Sequence, residues 1–234
     1  MVNIEYNGVS YRLPENLMEI TLGERIEFWE KHDRDIEEKI RAIRSKYEVG
    51  INMSEDDVSE LTAIDIERSI SAYSFFGKIP KEVVENELPY SEVYSFYCDV
   101  LNYLVSDEIR PVMINTYEWD GETWEIPMAT LTNGDGKSSR EVLYSFNILK
   151  ETDKLLKEYA IGKVHVLLPL CCIWLKKKGE VFTTKIAEIG SDRQELFKKL
   201  PMEIALNVGF FFRNSWSMYM PILTSSHLEA EVEV

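Results

Sequence analysis

Val2-Asn3-Ile4-Glu5-Tyr6-Asn7-Gly8-Val9-Ser10-Tyr11-Arg12-Leu13 opens the chain as two alternating runs joined at Asn7-Gly8. Asn-Gly tolerates positive φ at both central residues, as a type I′ turn demands, so the stretch predicts a two-residue β-hairpin. Pairing across that turn sets Tyr6 against Val9, Ile4 against Tyr11 and Val2 against Leu13 on one face, with Asn3, Glu5, Ser10 and Arg12 on the other. A hairpin alone is marginal in water, so the apolar face is expected to lie under the helix that follows. Thr21 and Glu24 have the spacing of a capping box, and Leu22, Ile26 and Trp29 supply a buried stripe behind it.

Working outward, Ile36, Ile40, Ile43 and Tyr47 recur at helical spacing and predict a second helix over 34–47, ending near Gly50. Ser54 with Asp57, and Thr62 with Asp65, repeat the cap spacing and predict two more helices, the second carrying Ile66, Ile70 and Tyr73. Ser91 precedes a further helix with the stripe Tyr94, Tyr97, Cys98, Leu101, Leu104 and Val105, and Pro111 ends the run. The opening pattern then returns. Val112 to Trp119 and Glu122 to Ile126 form a second hairpin on Asp120-Gly121, with Gly8 and Gly121, and Leu13-Pro14 and Ile126-Pro127, both 113 residues apart.

This offset reads as a degenerate tandem duplication. The expected fold class is therefore α+β in two similar halves, residues 1–110 and 111–234, each a β-hairpin followed by several helices, with 106–113 as the candidate boundary. In the second half, Ser138 or Ser139 caps a helix to about Tyr159, and an apolar segment from Val164 to Leu175 stops at Lys176-Lys177-Lys178-Gly179. Ser191 caps a short helix ending before Pro201. Residues 202–212 carry Met202, Ile204, Ala205, Leu206, Val208, Phe210, Phe211 and Phe212, apolar almost all round, as expected of a central buried helix. The acidic tail from Ser225 is expected to be peripheral.

Composition excludes several function classes. Of 234 residues 45% are apolar and 29% charged, which places the chain in the globular range. Acidic residues number 41 against 26 Lys plus Arg, a net charge of −15, so a nucleic-acid backbone would be repelled and no direct nucleic-acid partner is expected. Residues 1–110 hold 24 acids and 12 bases, net −12, leaving −3 for the remainder. Cys98, Cys171 and Cys172 are an odd, partly adjacent set with apolar neighbours, which reads as reduced, buried small hydrophobes. The longest apolar run, Val166 to Leu175, is about half of the ~20 residues a membrane-spanning helix needs, so no membrane partner is expected. The start Met1-Val2-Asn3-Ile4-Glu5 has no basic stretch leading into an apolar one, and cytosolic synthesis is the expectation.

Asn133-Gly134-Asp135-Gly136-Lys137-Ser138 ends like a phosphate-binding loop, but the glycine required five positions before Gly136 is Leu131, so a plain turn is the better reading. Nor do its acids keep the register of a calcium loop. His32, His165 and His227 lie far apart and share no metal-ligand spacing with cysteine or histidine, and no Gly-x-Ser-x-Gly pattern occurs. No metal, cofactor or catalytic residue is assigned, and His165 reads as a core or boundary residue. Tyr117, Trp119 and Trp124 fall on one face of the second hairpin, where they either anchor a partner or pack on the following helices. With Phe212, from the run Phe210-Phe211-Phe212, they form the candidate partner interface.

Three pieces of the chain carry a resemblance: Ile4 through Pro14, then Ile20-Thr21-Leu22-Gly23-Glu24 opening a helix, and Leu200-Pro201-Met202-Glu203-Ile204-Ala205-Leu206 leading into Phe210-Phe211-Phe212. In this order they resemble a loosely defined group of tailed-bacteriophage virion structural, tail or tail-assembly proteins. The chain departs from that group where the Asn133 to Ser139 loop replaces a second Gly-Glu helix start. The resemblance implies a non-enzymatic component of the tail, baseplate or connector, made in the host cytoplasm, carried into the virion, and bound to other phage structural proteins as a homo-oligomer. Three alternatives stay open: an assembly chaperone missing from the finished particle, an acidic inhibitor that occupies a host protein's nucleic-acid site, and a hydrolase using acids such as Glu118 and Glu125.

Overall fold

The structure is a computed structural model that describes residues 2–47, 52–101, 115–126, 139–160, 163–178, 180 and 192–212. The chain is mixed α and β, mostly helical, with two small antiparallel sheets. It divides into two compact units, Met1–Arg110 and Pro111–Val234.

The first unit opens with β1 (Val2–Tyr6) and β2 (Val9–Leu13), paired antiparallel in the register expected from the turn, with Val2 opposite Leu13 and Tyr6 opposite Val9. Asn7 and Gly8 both have positive φ, 47° and 76°, as the type I′ turn requires. The cover for this hairpin is not chiefly the next helix: β2 packs on α3, much later in the chain. A Cβ on Gly77 of α3 would stand 3.1 Å from the Leu13 side chain, so a glycine there lets strand and helix close together.

The first two expected helices are one continuous helix, α1 (Leu22–Phe28) running through a π-helical turn, Trp29–Asp33, into α2 (Arg34–Arg44). Thr21 caps it with the full capping box: the Glu24 amide donates to the Thr21 hydroxyl at 3.2 Å, and the Thr21 amide to the Glu24 carboxylate at 2.9 Å. The residues it buries are Leu22, Arg25 and Phe28, then Asp33, Ile36, Ile40 and Ile43, while Ile26 and Trp29 are only half-buried. The π-turn accounts for the difference. Residues eight apart in an α-helix are about 80° out of phase at roughly 100° each. With one residue absorbed by the wider turn they phase like seven, which leaves about 20° and keeps Arg25 and Asp33, and Phe28 and Ile36, on one face.

Ser54 caps the long helix α3 (Glu55–Gly77), its hydroxyl accepting from the Asp57 amide at 3.2 Å. The expected second start at Thr62 does not form. The Thr62 hydroxyl donates to the Val58 carbonyl at 2.8 Å and sits inside the helix, the common alternative for a threonine with a free carbonyl one turn back. Ile64 of α3, with Leu61 beside it, closes on Ile36, Ile40 and Ile43 of α2. Pro80 starts α4 (Lys81–Glu87) and Pro89 starts α5 (Tyr90–Phe96), which continues into a second π-helical turn, Tyr97–Leu101. Here too the buried stripe differs from expectation: Val93, Phe96, Tyr97 and Val100 are buried, and Tyr94 is exposed.

The second unit opens with β3 (Thr116–Trp119) and β4 (Glu122–Glu125), turning on Asp120 and Gly121 at φ 54° and 72°. The lysine run read as a helix stop also forms β5 (Lys176–Lys177), a third strand beside β4. α6 (Ser139–Ala160), a 3-10 turn at Val164–Val166, α7 (Leu167–Trp174), α8 (Asp192–Phe197) and a helix over 202–212, here α9, supply the rest. Met202, Ile204, Ala205, Val208, Phe211 and Phe212 of α9 are buried, as expected of a core helix, whereas Glu203 is exposed and Leu206 and Phe210 are half-buried. The expected Asn133 loop, the strand residues 112–114 and the tail from Ser225 lie outside the described residues.

α9 approaches α6 and α7 closely at Gly209. A Cβ there would stand 2.6 Å from Leu167 Cδ2 and 3.2 Å from the Tyr159 ring. Leu167 is fully buried and has little room to yield. Gly209→Ala is therefore expected to destabilise the protein by about 1–3 kcal/mol, despite the better helix propensity of alanine, as read from the urea midpoint. A stabilised variant would mean that Leu167 repacks freely.

Candidate functional site

The site that stands out is the α3–α5 face of the first unit, with the charged groups beneath it. α5 opens at Pro89, whose lack of an N–H and fixed φ suit a helix start, and Tyr90 and Tyr94 follow one turn apart. Their rings stack at 5.5 Å between centroids, 30° from parallel, and remain 45% and 42% exposed. Asp65, exposed on the adjoining α3, lies close enough to raise both phenols. Tyr94 is raised first by its hydrogen bond with Cys98, and Tyr90 first by burial.

Behind this face α5 is held firmly. Buried Tyr73 of α3 donates to the Glu92 carboxylate of α5 at 2.7 Å, and its ring meets Phe96 edge-on at 5.4 Å. Burial first, and then that bond, keep the Tyr73 hydroxyl protonated. The Arg68 guanidinium of α3 sits 5.7 Å from the centre of the Tyr97 ring, and burial pushes the Tyr97 phenol up to about 12.

Arg68 belongs to a buried ion network. Its Nε donates to Asp33 Oδ1 at 2.7 Å, and its Nη2 pairs with Glu37 Oε1 at 2.7 Å. Burial opposes the charge on Arg68, but Asp33 more than offsets it, and the guanidinium is held protonated. Arg25 Nη2 reaches 2.7 Å from the second oxygen of Asp33, which is 0% exposed, at an angle too bent for a hydrogen bond. Arg25 is itself only 4% exposed, and its Nε and Nη1 have no hydrogen-bond partner among the described residues. Two arginines and two carboxylates thus balance, with Asp33 between the arginines. Chemically this is a fixed strut joining the long helix to α3, rather than a poised acid or base.

The candidate interface read from the sequence lies in the second unit. Tyr117 and Trp124 are cross-strand partners on one sheet face, as expected, but both are buried. Phe212 is fully buried, its ring 4.5 Å from Trp174. Trp119 is half-buried and packs at 5.6 Å on Trp124 and 5.9 Å on Phe197. Arg193 of α8 covers Trp124 and Phe197, and donates to the carbonyls of Cys172, at 3.1 Å, and Leu175. The aromatic face packs inward on α8, as in the packing alternative weighed above, so these residues hold the hairpin down and present little surface.

Cys171 and Cys172 are buried, with the Cys172 thiol pushed up to about 12, which leaves both as packing residues. Glu118 and Glu125 do not form a catalytic pair: they lie on strands where Glu118 faces Thr123 and accepts its hydroxyl at 2.8 Å, and Glu125 faces Thr116. Among the described residues no group of three or more His, Cys, Asp and Glu could hold a metal, and no helix is long and apolar enough to cross a membrane.

Lys176 is buried in β5, and burial lowers its amine to about 8. In the unfolded chain a lysine titrates near 10.4, so between about pH 8 and pH 10.4 the unfolded state holds a proton that the folded state has lost, and stability rises with pH there. Lys176→Met is expected to raise stability at pH 7 by about 1–2 kcal/mol after allowance for solvent screening, with the advantage shrinking as pH passes 10. Urea midpoints at pH 7 and pH 10 check both halves of this.

No family model, no curated protein and no solved structure matches this chain. The signal for the α5 site was present in the sequence as Tyr90 and Tyr94, one helical turn apart after a proline. The expected stripe through Tyr94, Tyr97 and Cys98 assigned Tyr94 to the core instead.

Proposed function

We propose that the protein is a non-enzymatic component of a tailed-phage particle, in the tail, baseplate or connector region, acting through protein–protein assembly. The observation that carries this reading is the stacked, exposed Tyr90–Tyr94 pair on a helix pinned from behind by Tyr73–Glu92 and Arg68–Tyr97. Tyrosines offer large contact area at low entropic cost, and a helix already fixed in place loses little freedom on docking. The resemblance of residues 4–14, 20–24 and 200–212 supplies the particle context. The two halves are proposed to descend from one duplicated unit. Two I′ turns 113 residues apart support that origin, although only the second hairpin gains a third strand.

Self-association in this reading uses the second unit, whose residues carry only −3, because the −12 of the first would repel a second copy. Mass spectrometry of purified particles tests the proposal. Stoichiometric presence supports it, and absence overturns the virion assignment. An absent protein that co-purifies with a tail protein before assembly would instead be an assembly chaperone.

A further inference from the structure

Five large apolar or aromatic side chains are well exposed among the described residues: Val9, Met18, Val58, Tyr90 and Tyr94. All belong to the first unit. Single exposed apolar residues are ordinary on a protein surface, but Tyr90 and Tyr94 are in contact and form one platform. Two stacked phenol rings present π-faces and edges that burial in a monomer would have hidden. Beside them stands a carboxylate, Asp65, exposed and without an ion-pair partner among the described residues.

We propose that Tyr90, Tyr94 and Asp65 form a docking site for an arginine side chain projecting from a basic segment of a partner protein. This rests on the assembly reading and specifies its partner. A guanidinium is planar and weakly hydrated, so it can lie against a tyrosine ring while its N–H fork meets a carboxylate; an ammonium matches this arrangement less well. The same chemistry already operates inside this unit, where Arg68 faces the Tyr97 ring and pairs with Asp33. The surrounding charge selects the partner. Residues 1–110 carry −12, which attracts a basic protein, repels phosphate backbones, and disfavours a second copy on this face.

The test uses the full chain and a fluorescent nonapeptide with three arginines, with matched lysine and glutamate peptides, followed by anisotropy at two salt concentrations. The arginine peptide is expected to bind several-fold more tightly than the lysine peptide, with no binding of the glutamate peptide. Tyr90→Ala with Tyr94→Ala is expected to weaken arginine binding about tenfold, the loss of two cation–π contacts, while Tyr90→Phe with Tyr94→Phe retains it. Asp65→Asn is expected to weaken it several-fold, whereas neutralising Glu30 and Glu38, exposed on the long helix, leaves it nearly unchanged at the higher salt. All substituted side chains are exposed, and circular dichroism verifies folding. Equal binding of arginine and lysine peptides, equal binding to the double-alanine variant, or no binding of the arginine peptide overturns the site. Particle composition is measured separately, so loss of this site leaves the assembly reading standing, and loss of the virion assignment leaves the peptide result intact.

Discussion

Asp33→Ala is expected to lower the unfolding free energy by about 3–5 kcal/mol, among the largest effects of any single polar substitution in the first unit. Asp33 is fully buried and is the anion between Arg25 and Arg68. Its removal leaves Arg25 with no anion in reach among its printed pairings and Arg68 with Glu37 alone, while the cost of burying both cations persists. Arg25→Met is expected to cost far less, within about 1 kcal/mol. Asp33 keeps Arg68, and the substitution removes two buried guanidinium N–H groups that have no hydrogen bond while keeping most of the apolar stem. Urea unfolding of the two variants checks the asymmetry. Equal losses would mean that the bent Arg25–Asp33 approach carries as much stability as the straight Arg68–Asp33 bond.

That network also shows where sequence reading reached its limit. The hairpins, their turn residues and their registers were legible because an Asn-Gly or Asp-Gly turn fixes which residues face each other, and the structure places Tyr6 opposite Val9 and Trp119 opposite Glu122 accordingly. Caps that depend on adjacent residues, Thr21 with Glu24 and Ser54 with Asp57, were equally legible. The stripes were misread where a π-turn intervened. A period of 3.6 carried on from Leu22 selects Ile26 and Trp29, and nothing in Trp29-Glu30-Lys31-His32-Asp33 announces an extra residue in the turn. The cause becomes visible only in three dimensions. The turn brings Asp33 onto the face of Arg25, where α3 supplies Arg68, 35 residues later. A tertiary ion network thus determines local helix phase, and single-helix periodicity contains no information about it.

The same limit explains the aromatic residues. Tyr117, Trp119 and Trp124 share a face whatever surrounds them, so their juxtaposition was legible. Whether that face meets solvent or its own unit depends on α8, some 70 residues further on, and there Arg193 and Phe197 cover it. Conversely, Tyr94 has the spacing of a core residue with Tyr97 and Cys98, yet the turn after Phe96 is π-helical and the buried stripe passes through Val93 and Phe96. In both units the exposure of an aromatic side chain was decided by tertiary packing and helix irregularity, while its neighbours along one face were decided by sequence.

Trp174→Ala is expected to cost about 3–5 kcal/mol, the largest effect anticipated in the second unit. Trp174 closes α7 at 1% exposure, with its indole against the Phe212 ring at 4.5 Å. Its Nε1 donates to the Thr152 hydroxyl of α6 at 2.9 Å in a wholly buried position. One side chain therefore joins α6, α7 and α9, and truncation removes apolar burial from all three together while opening a cavity that Phe212 alone cannot fill. Trp174→Phe separates the contributions. It keeps most of the ring volume and loses the hydrogen bond, leaving the Thr152 hydroxyl without that donor, and is expected to cost about 1–3 kcal/mol. Thr152→Val, which keeps the shape and leaves the indole N–H unsatisfied, is expected to fall in the same range. Urea unfolding followed by circular dichroism reads all three. If Trp174→Phe were as costly as Trp174→Ala, the hydrogen bond to Thr152, rather than ring volume, would be what holds α6, α7 and α9 together.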